Sequence, residues 1–149
     1  MSAPKHPPGH PAHDARHAGR WIVGILTVTV AYFVGTAIHE LVQKGRERVA
    51  YAISLTAGNP ARAPALMRQY GCAGCHTIPG VAGAEGKIGP PLTGMASRMY
   101  VGGVALNTPD NLIRWIVNPK AIDPHTAMPA VGVTPDQARD IAAYLYTLR

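Results

Sequence analysis

This 149-residue chain contains two cysteines, one phenylalanine and only 15% charged residues. Each shortage excludes something. Two cysteines cannot staple a disulfide-rich scaffold, nor by themselves close a four-thiolate zinc site. The formal net charge of +6 is divided evenly, residues 1–49 and residues 50–149 each carrying +3. Neither half has a dense basic face, and no basic run is interleaved with aromatics, so nucleic-acid binding is set aside. No stretch alternates apolar and polar residues well enough to read as a strand. The length suits one modest domain and an appendage.

Apolar residues are abundant, at 47% of the chain, and unevenly placed. Trp21–Val42 is apolar until His39 and Glu40, and Trp21–Ile38 has no charge across 18 positions. That meets the lower limit of roughly 17–25 residues for a membrane-spanning helix. A cleaved signal has a shorter core, about 7–15 residues, with a small-residue cleavage site close behind. The one such site here, Ala50-Tyr51-Ala52, lies beyond a charged stretch. An uncleaved anchor over residues 21–42 is therefore expected. Lys5, Arg16 and Arg20 precede it, and Lys44, Arg46 and Arg48 follow. Flanking charge therefore leaves its orientation open. Thr27, Ala31, Gly35 and His39 share one helical stripe, where small residues would admit a second helix. Small residues are also simply common in spans. His39, near the end of the span, suits a wet interfacial position or a contact with a partner or cofactor.

Residues 1–20, rich in Pro, His, Ala and Gly, read as a disordered leader. Its histidines, His6, His10, His13 and His17, read as solvated rather than metal-binding. Residues 43–63 read as a linker, whose first part can prolong the membrane helix because Gly45 alone is a weak breaker. The domain proper is placed at residues 64–149. Ala63–Gly71 suits a short helix delivering Cys72. Residues 77–107 are rich in glycine and proline, so loops are expected there. Thr108-Pro109 reads as N-cap and first position of a helix running to about Val117. Thr134-Pro135-Asp136-Gln137 is a capping box opening a last helix, with Ala138, Ile141, Ala142, Leu145 and Leu148 on its apolar face. An all-α domain this small and loop-rich needs something else at its centre, and a large apolar cofactor would serve.

Both cysteines stand in Cys72-Ala73-Gly74-Cys75-His76. A structural zinc site would have to recruit His76 and His125, with no normal ligand spacing. A thioredoxin-like dithiol requires a βαβ context that is lacking. C-x-x-C-H is the attachment signature of c-type haem. Two thiols add to the haem vinyl groups, one helical turn places both sulfurs along one edge of the ring, and the adjacent imidazole falls beneath the iron. Haem iron then keeps an open site, or needs a second axial ligand from the opposite side. Met67 lies too close to Cys72 to reach it. Met128, 52 residues beyond His76 in a loop stiffened by Pro129, is expected to supply it, with His125, Met95 and Met99 as alternatives. A methionine fills a gap in the core equally well.

Residues from about 64 to 149 resemble a class I cytochrome c. The segments CAGCHTIPG, GKIGPPL, SRMYVGGVALNTPDNLIRWIVNPK, MP and AYLYTL are similar to the haem domain fused to subunit II of some haem–copper cytochrome c oxidases. The resemblance implies an all-α fold of three to five short helices around one covalently attached haem c, here preceded by a single transmembrane helix. It implies that the Pro90 carbonyl orients His76, that Arg98 and Trp115 lie near the haem propionates, and that Tyr144 and Leu145 pack against the haem or the first helix. Pro91 departs from the pattern, standing where such domains usually carry an acidic or amide residue. A dinuclear copper centre would need two further cysteines, which this chain does not have.

The function expected from this is single-electron transfer in a respiratory chain, from a quinol-oxidising complex to a terminal oxidase, without enzymatic bond cleavage. Haem attachment outside the cytoplasm would place the haem domain in the periplasm and the N-terminus in the cytoplasm. Electrons would leave at the thioether edge, near Ala73, Gly74, Ala127 and Ala130. With Lys87 and Lys120 as its only lysines, the domain lacks the basic ring of a freely diffusing carrier. A tethered carrier relies less on long-range steering. The alternatives are a permanently bound subunit of a cytochrome oxidase or nitric oxide reductase type of enzyme, and a ligand sensor or peroxidase with a labile sixth ligand.

Overall fold

Between Pro11 and Pro60 the sequence has no proline, so nothing interrupts an i→i−4 ladder over that length. A computed structural model describes residues 14–149 of the chain, and its first helix, α1, runs Asp14–Thr56. The expected leader over residues 1–13 lies outside the described residues. Residues 14–20 are helical instead of disordered. Extending an existing helix backwards adds one hydrogen bond per residue fixed, and the alanines there favour it.

Gly19–Thr56 is, among the described residues, the one helical stretch long and apolar enough to cross a membrane. Its large side chains, including Trp21, Ile22, Leu26 and Phe33, are exposed. Thr27, Thr29 and Thr36 turn their hydroxyls back onto carbonyls of Val23, Gly24, Ile25 and Phe33 at 2.9–3.1 Å. Such back-bonding leaves no threonine hydroxyl facing outward without a partner.

The second compact unit is Lys44–Arg149. The stretch read as a linker is therefore largely structured: it is helical to Thr56, with Ala52 and Thr56 buried. The helix ends where Ala57 adopts φ 54°, and Gly58 then passes under the last helix of the fold. A Cβ on Gly58 would lie 2.1 Å from the Arg139 carbonyl oxygen. Asp140, 6% exposed, accepts a 2.7 Å hydrogen bond from the Asn59 amide and faces Arg62 at 3.4 Å. A buried carboxylate is costly unless paired and hydrogen-bonded, and this one is both.

A 3₁₀ turn at Pro60–Arg62, capped by Asn59, leads into α2, Ala63–Gln69, and the one-turn helix α3, Cys72–Cys75. The expected long loop follows, with a 3₁₀ turn at Met95–Ser97. It also holds a feature no sequence period announced, a hairpin of β1, Tyr100–Val101, and β2, Ala105–Leu106, with Tyr100 opposite Leu106. Strands of two residues are too short to display alternation. The hairpin depends on Gly102 and Gly103, at φ 59° and 78°, a region glycine enters freely. Then come α4, Pro109–Val117, a 3₁₀ turn at Pro119–Ala121, and α5, Pro135–Thr147. The Thr108 cap and the Thr134/Gln137 capping box both form.

Helix α5 is the spine of the domain, packing on α4, on α2 and on the 3₁₀ turns at 60–62 and 95–97. Ala138, Ala142 and Ala143 on it are fully buried, so neighbouring backbones approach closely. Met67, Leu112, Ile141 and Trp115 fill the space between. Burying a large apolar side chain contributes about 1.5–3 kcal/mol. Around this core, Tyr70, Cys72, Leu92, Ile113 and Met128 pack while remaining partly exposed.

Candidate cofactor site

The site begins with a turn. Gly71, at φ 74°, starts α3, whose single turn carries Cys72 and Cys75. Both thiols are free and half-buried. Burial pushes the Cys72 thiol above its usual range; repulsion from Cys75 adds to this and a backbone hydrogen bond opposes it. A dithiol oxidoreductase needs the reverse, a thiol lowered into the thiolate form. Among the described residues no group of three or more His, Cys, Asp or Glu side chains could hold a metal ion. The zinc alternative therefore has no donor cluster; His125 is exposed, its amide bonded to Asp123.

At His76 the chain turns extended, φ −116° and ψ 143°, which swings the imidazole off the helix. Its Nδ1 lies 2.7 Å from the Pro90 carbonyl oxygen. A carbonyl only accepts, so Nδ1 donates, and in the neutral ring Nε2 then keeps the lone pair. Gly89 lies against the same ring, where a Cβ would sit 2.3 Å from His76 Cε1. Gly86 lies as tightly against the backbone of Gly74 and Cys75, a Cβ there falling 2.5 Å from each. The loop returns to the motif through Gly89 N to Cys75 O, 2.8 Å, Leu92 N to Thr77 O, 2.8 Å, and Thr77 Oγ1 to Gly86 O, 3.0 Å. Tyr144 on α5 closes the other side, its hydroxyl donating to the Pro79 carbonyl at 2.6 Å.

The remaining expected residues lie as follows. Arg98 donates from Nη2 to the carbonyls of Pro91 and Thr93. Trp115, 8% exposed on α4, has its six-membered ring against Gly102, where a Cβ would be 2.2 Å away. Met128 is half-buried against the core in the loop before α5, and its amide donates to Thr126 Oγ1 at 3.2 Å. Of the other methionines, Met67 and Met95 are buried and Met99 is 70% exposed. Gly74, Ala127 and Ala130 are exposed, and Ala73 is half-buried. Leu145 is buried in the core.

Three residues of this region make contacts that the quoted sequence segments do not reveal. Gly86 and Gly89 look like ordinary loop glycines until the fold presses them against the motif. Asn107 looks like a turn residue, but its Nδ2 donates to the carbonyls of Met95 and Arg98 and its Oδ1 accepts from Tyr146.

The donor set fits haem c: two unpaired thiols one helical turn apart, and an imidazole with its tautomer fixed and Nε2 available. Comparison with curated proteins gives no match. Residues 60–149 match the family described as cytochrome c. Since that match takes in the Cys72–His76 motif and more than half of the sequence, the chain belongs to the cytochrome c family, electron carriers built on a covalently attached haem c.

Proposed function

We propose that the chain is a membrane-anchored monohaem cytochrome c that passes single electrons along a respiratory chain, from a quinol-oxidising complex to a terminal oxidase. The observation that carries this is the fixed His76 imidazole one residue beyond two free, half-buried thiols. Cys72 and Cys75 would hold the group covalently, and His76 and Met128 would hold its iron. The iron supplies one-electron chemistry, and methionine–histidine ligation raises its potential. The chain's own residues orient and shield it. The Pro90 carbonyl holds the imidazole, and Trp115, buried against Gly102 of the hairpin, would lie near the propionates. Arg98 uses only two of its five donor positions on Pro91 and Thr93, leaving the rest for a propionate.

The apolar run within α1 is read as an uncleaved anchor over residues 21–42, with the N-terminus cytoplasmic and the haem domain periplasmic. The Thr27, Ala31 and Gly35 stripe would seat a partner helix. Having only Lys87 and Lys120, the domain favours a membrane neighbour over a distant partner. This keeps a second reading in play, a permanent subunit of a cytochrome oxidase or nitric oxide reductase type of complex, in line with the likeness to the haem domain of oxidase subunit II. Co-purification with a catalytic subunit in mild detergent would select that second reading.

The test of the ligand set is spectroscopic. The purified protein should be red and low-spin, and carbon monoxide should leave its reduced form unchanged. Met128→Leu should lose the low-spin spectrum and bind carbon monoxide. Carbon monoxide binding by the unaltered protein would overturn the Met128 assignment and point to a sensor or peroxidase.

A further inference from the structure

The Pro90 carbonyl that holds His76 belongs to a segment with few means of being held itself. Pro90 and Pro91 have no amide protons, so neither can be anchored as a donor. Proline fixes φ but not ψ, and ψ aims the carbonyl. The segment is tied as donor only at its flanks, through Gly89 N to Cys75 O and Leu92 N to Thr77 O, both 2.8 Å. Between and beyond these ties the accessible handles are carbonyl oxygens. Arg98 takes two of them, donating from one nitrogen to Pro91 and, at 2.9 Å, to Thr93.

Arg98 is in turn held in place. Its amide donates to the Met95 carbonyl at 3.3 Å, closing the 3₁₀ turn. Its carbonyl accepts from Asn107 Nδ2 at 3.0 Å, and Asn107 Oδ1 accepts from Tyr146 on α5 at 3.0 Å. Hydrogen bonds thus run from the spine of the domain through Asn107 and the Arg98 main chain and side chain to the carbonyl next to the one that holds His76.

We infer that Arg98 is a positioning residue for His76, acting through the Pro91 and Thr93 carbonyls to hold the Pro90 carbonyl on Nδ1–H. The inference rests on His76 being the iron ligand. Partners that orient a ligating imidazole also set its basicity. A firmly held Nδ1–H···O=C bond makes the imidazole more electron-donating and favours ferric iron. Loosening it raises the reduction potential. Loss of a positive charge near the iron does the reverse, because it removes a penalty on the ferric state. The two effects have opposite signs and are separable.

Arg98→Lys keeps the charge but places its nitrogen one bond short of both carbonyls. Arg98→Gln loses charge and reach together. The readouts are exchange of the His76 Nδ1 proton, followed by NMR on the reduced haem-loaded protein, and the midpoint potential. Exchange should accelerate in both variants. The midpoint of Arg98→Lys should rise while its low-spin spectrum persists. Exchange within twofold of the unaltered protein, with an unchanged Arg98→Lys midpoint, would overturn the role of Arg98. If Arg98→Gln fails to load haem, Arg98→Lys carries the test alone. Absence of a low-spin spectrum in the unaltered protein would instead overturn the ligand assignment.

Discussion

At the scale of single residues, the site depends on atoms that are missing. Gly89 can lie against the His76 ring because it has no Cβ, and Gly102 makes room for Trp115 in the same way. Gly89→Ala would put a methyl 2.3 Å from His76 Cε1, so the ring or the loop must move. Overpacking of this kind costs about 1–3 kcal/mol. The expected outcome is a lower melting temperature together with a reduced fraction of haem-loaded protein. A melting temperature unchanged from the parent would show that the loop yields freely. The same residue scale explains what was hidden in the sequence. A glycine read alone signals a turn, and only the fold reveals which side chain presses on it.

Among the elements, α5 carries the most connections, and its start is built for that. Gln137 serves two structures at once. Its Oε1 accepts from the Thr134 amide at 3.0 Å within the capping box, and from the Tyr70 hydroxyl at the end of α2 at 2.9 Å. Thr134→Ala removes only the cap and is expected to cost about 1 kcal/mol. Gln137→Ala removes the cap's return bond and strands the half-buried Tyr70 hydroxyl, adding on the order of 1 kcal/mol more. Denaturant unfolding of both variants checks the order; a larger loss for Thr134→Ala would mean that the α2 link contributes nothing. Both capped helices were legible in advance, since caps and N1 prolines act within one turn. The hairpin was not, because its two-residue strands depend on contacts with α4 and on two glycines at positive φ.

For the molecule as a whole, alkaline pH reads out how well the domain is closed. Burial, assisted by the neighbouring Tyr51, pushes the Tyr146 hydroxyl up to about 12, and burial also raises Tyr144. An unfolded tyrosine titrates near 10. Between those values the folded state holds the proton that the unfolded state has lost, so stability falls as pH rises. Below about pH 10 both states are protonated and the effect is absent. The urea midpoint should therefore decline from about pH 10 toward 12, and Tyr146→Phe should flatten that decline. An equally steep decline in the variant would assign the effect to other groups.

The Cys72–His76 motif, the apolar run and the helix starts at Thr108 and Thr134 were determined by the sequence itself, because each depends on neighbours within a turn or on a run of one residue type. The family followed from the motif for the same reason: haem attachment is a matter of local spacing. Other features required the tertiary structure. It continued α1 through Gly45 and the charged stretch to Thr56, and buried Ala52 and Thr56 in the second compact unit. It joined Asp140 to Asn59 across 81 residues, and His76 to Pro90. It also turned Arg98 onto two carbonyls beside the ligand loop. These contacts join residues far apart along the chain or on separate turns of a loop, where no periodicity records them. The sequence thus carries the haem-attachment motif, while only packing decides how its residues are held.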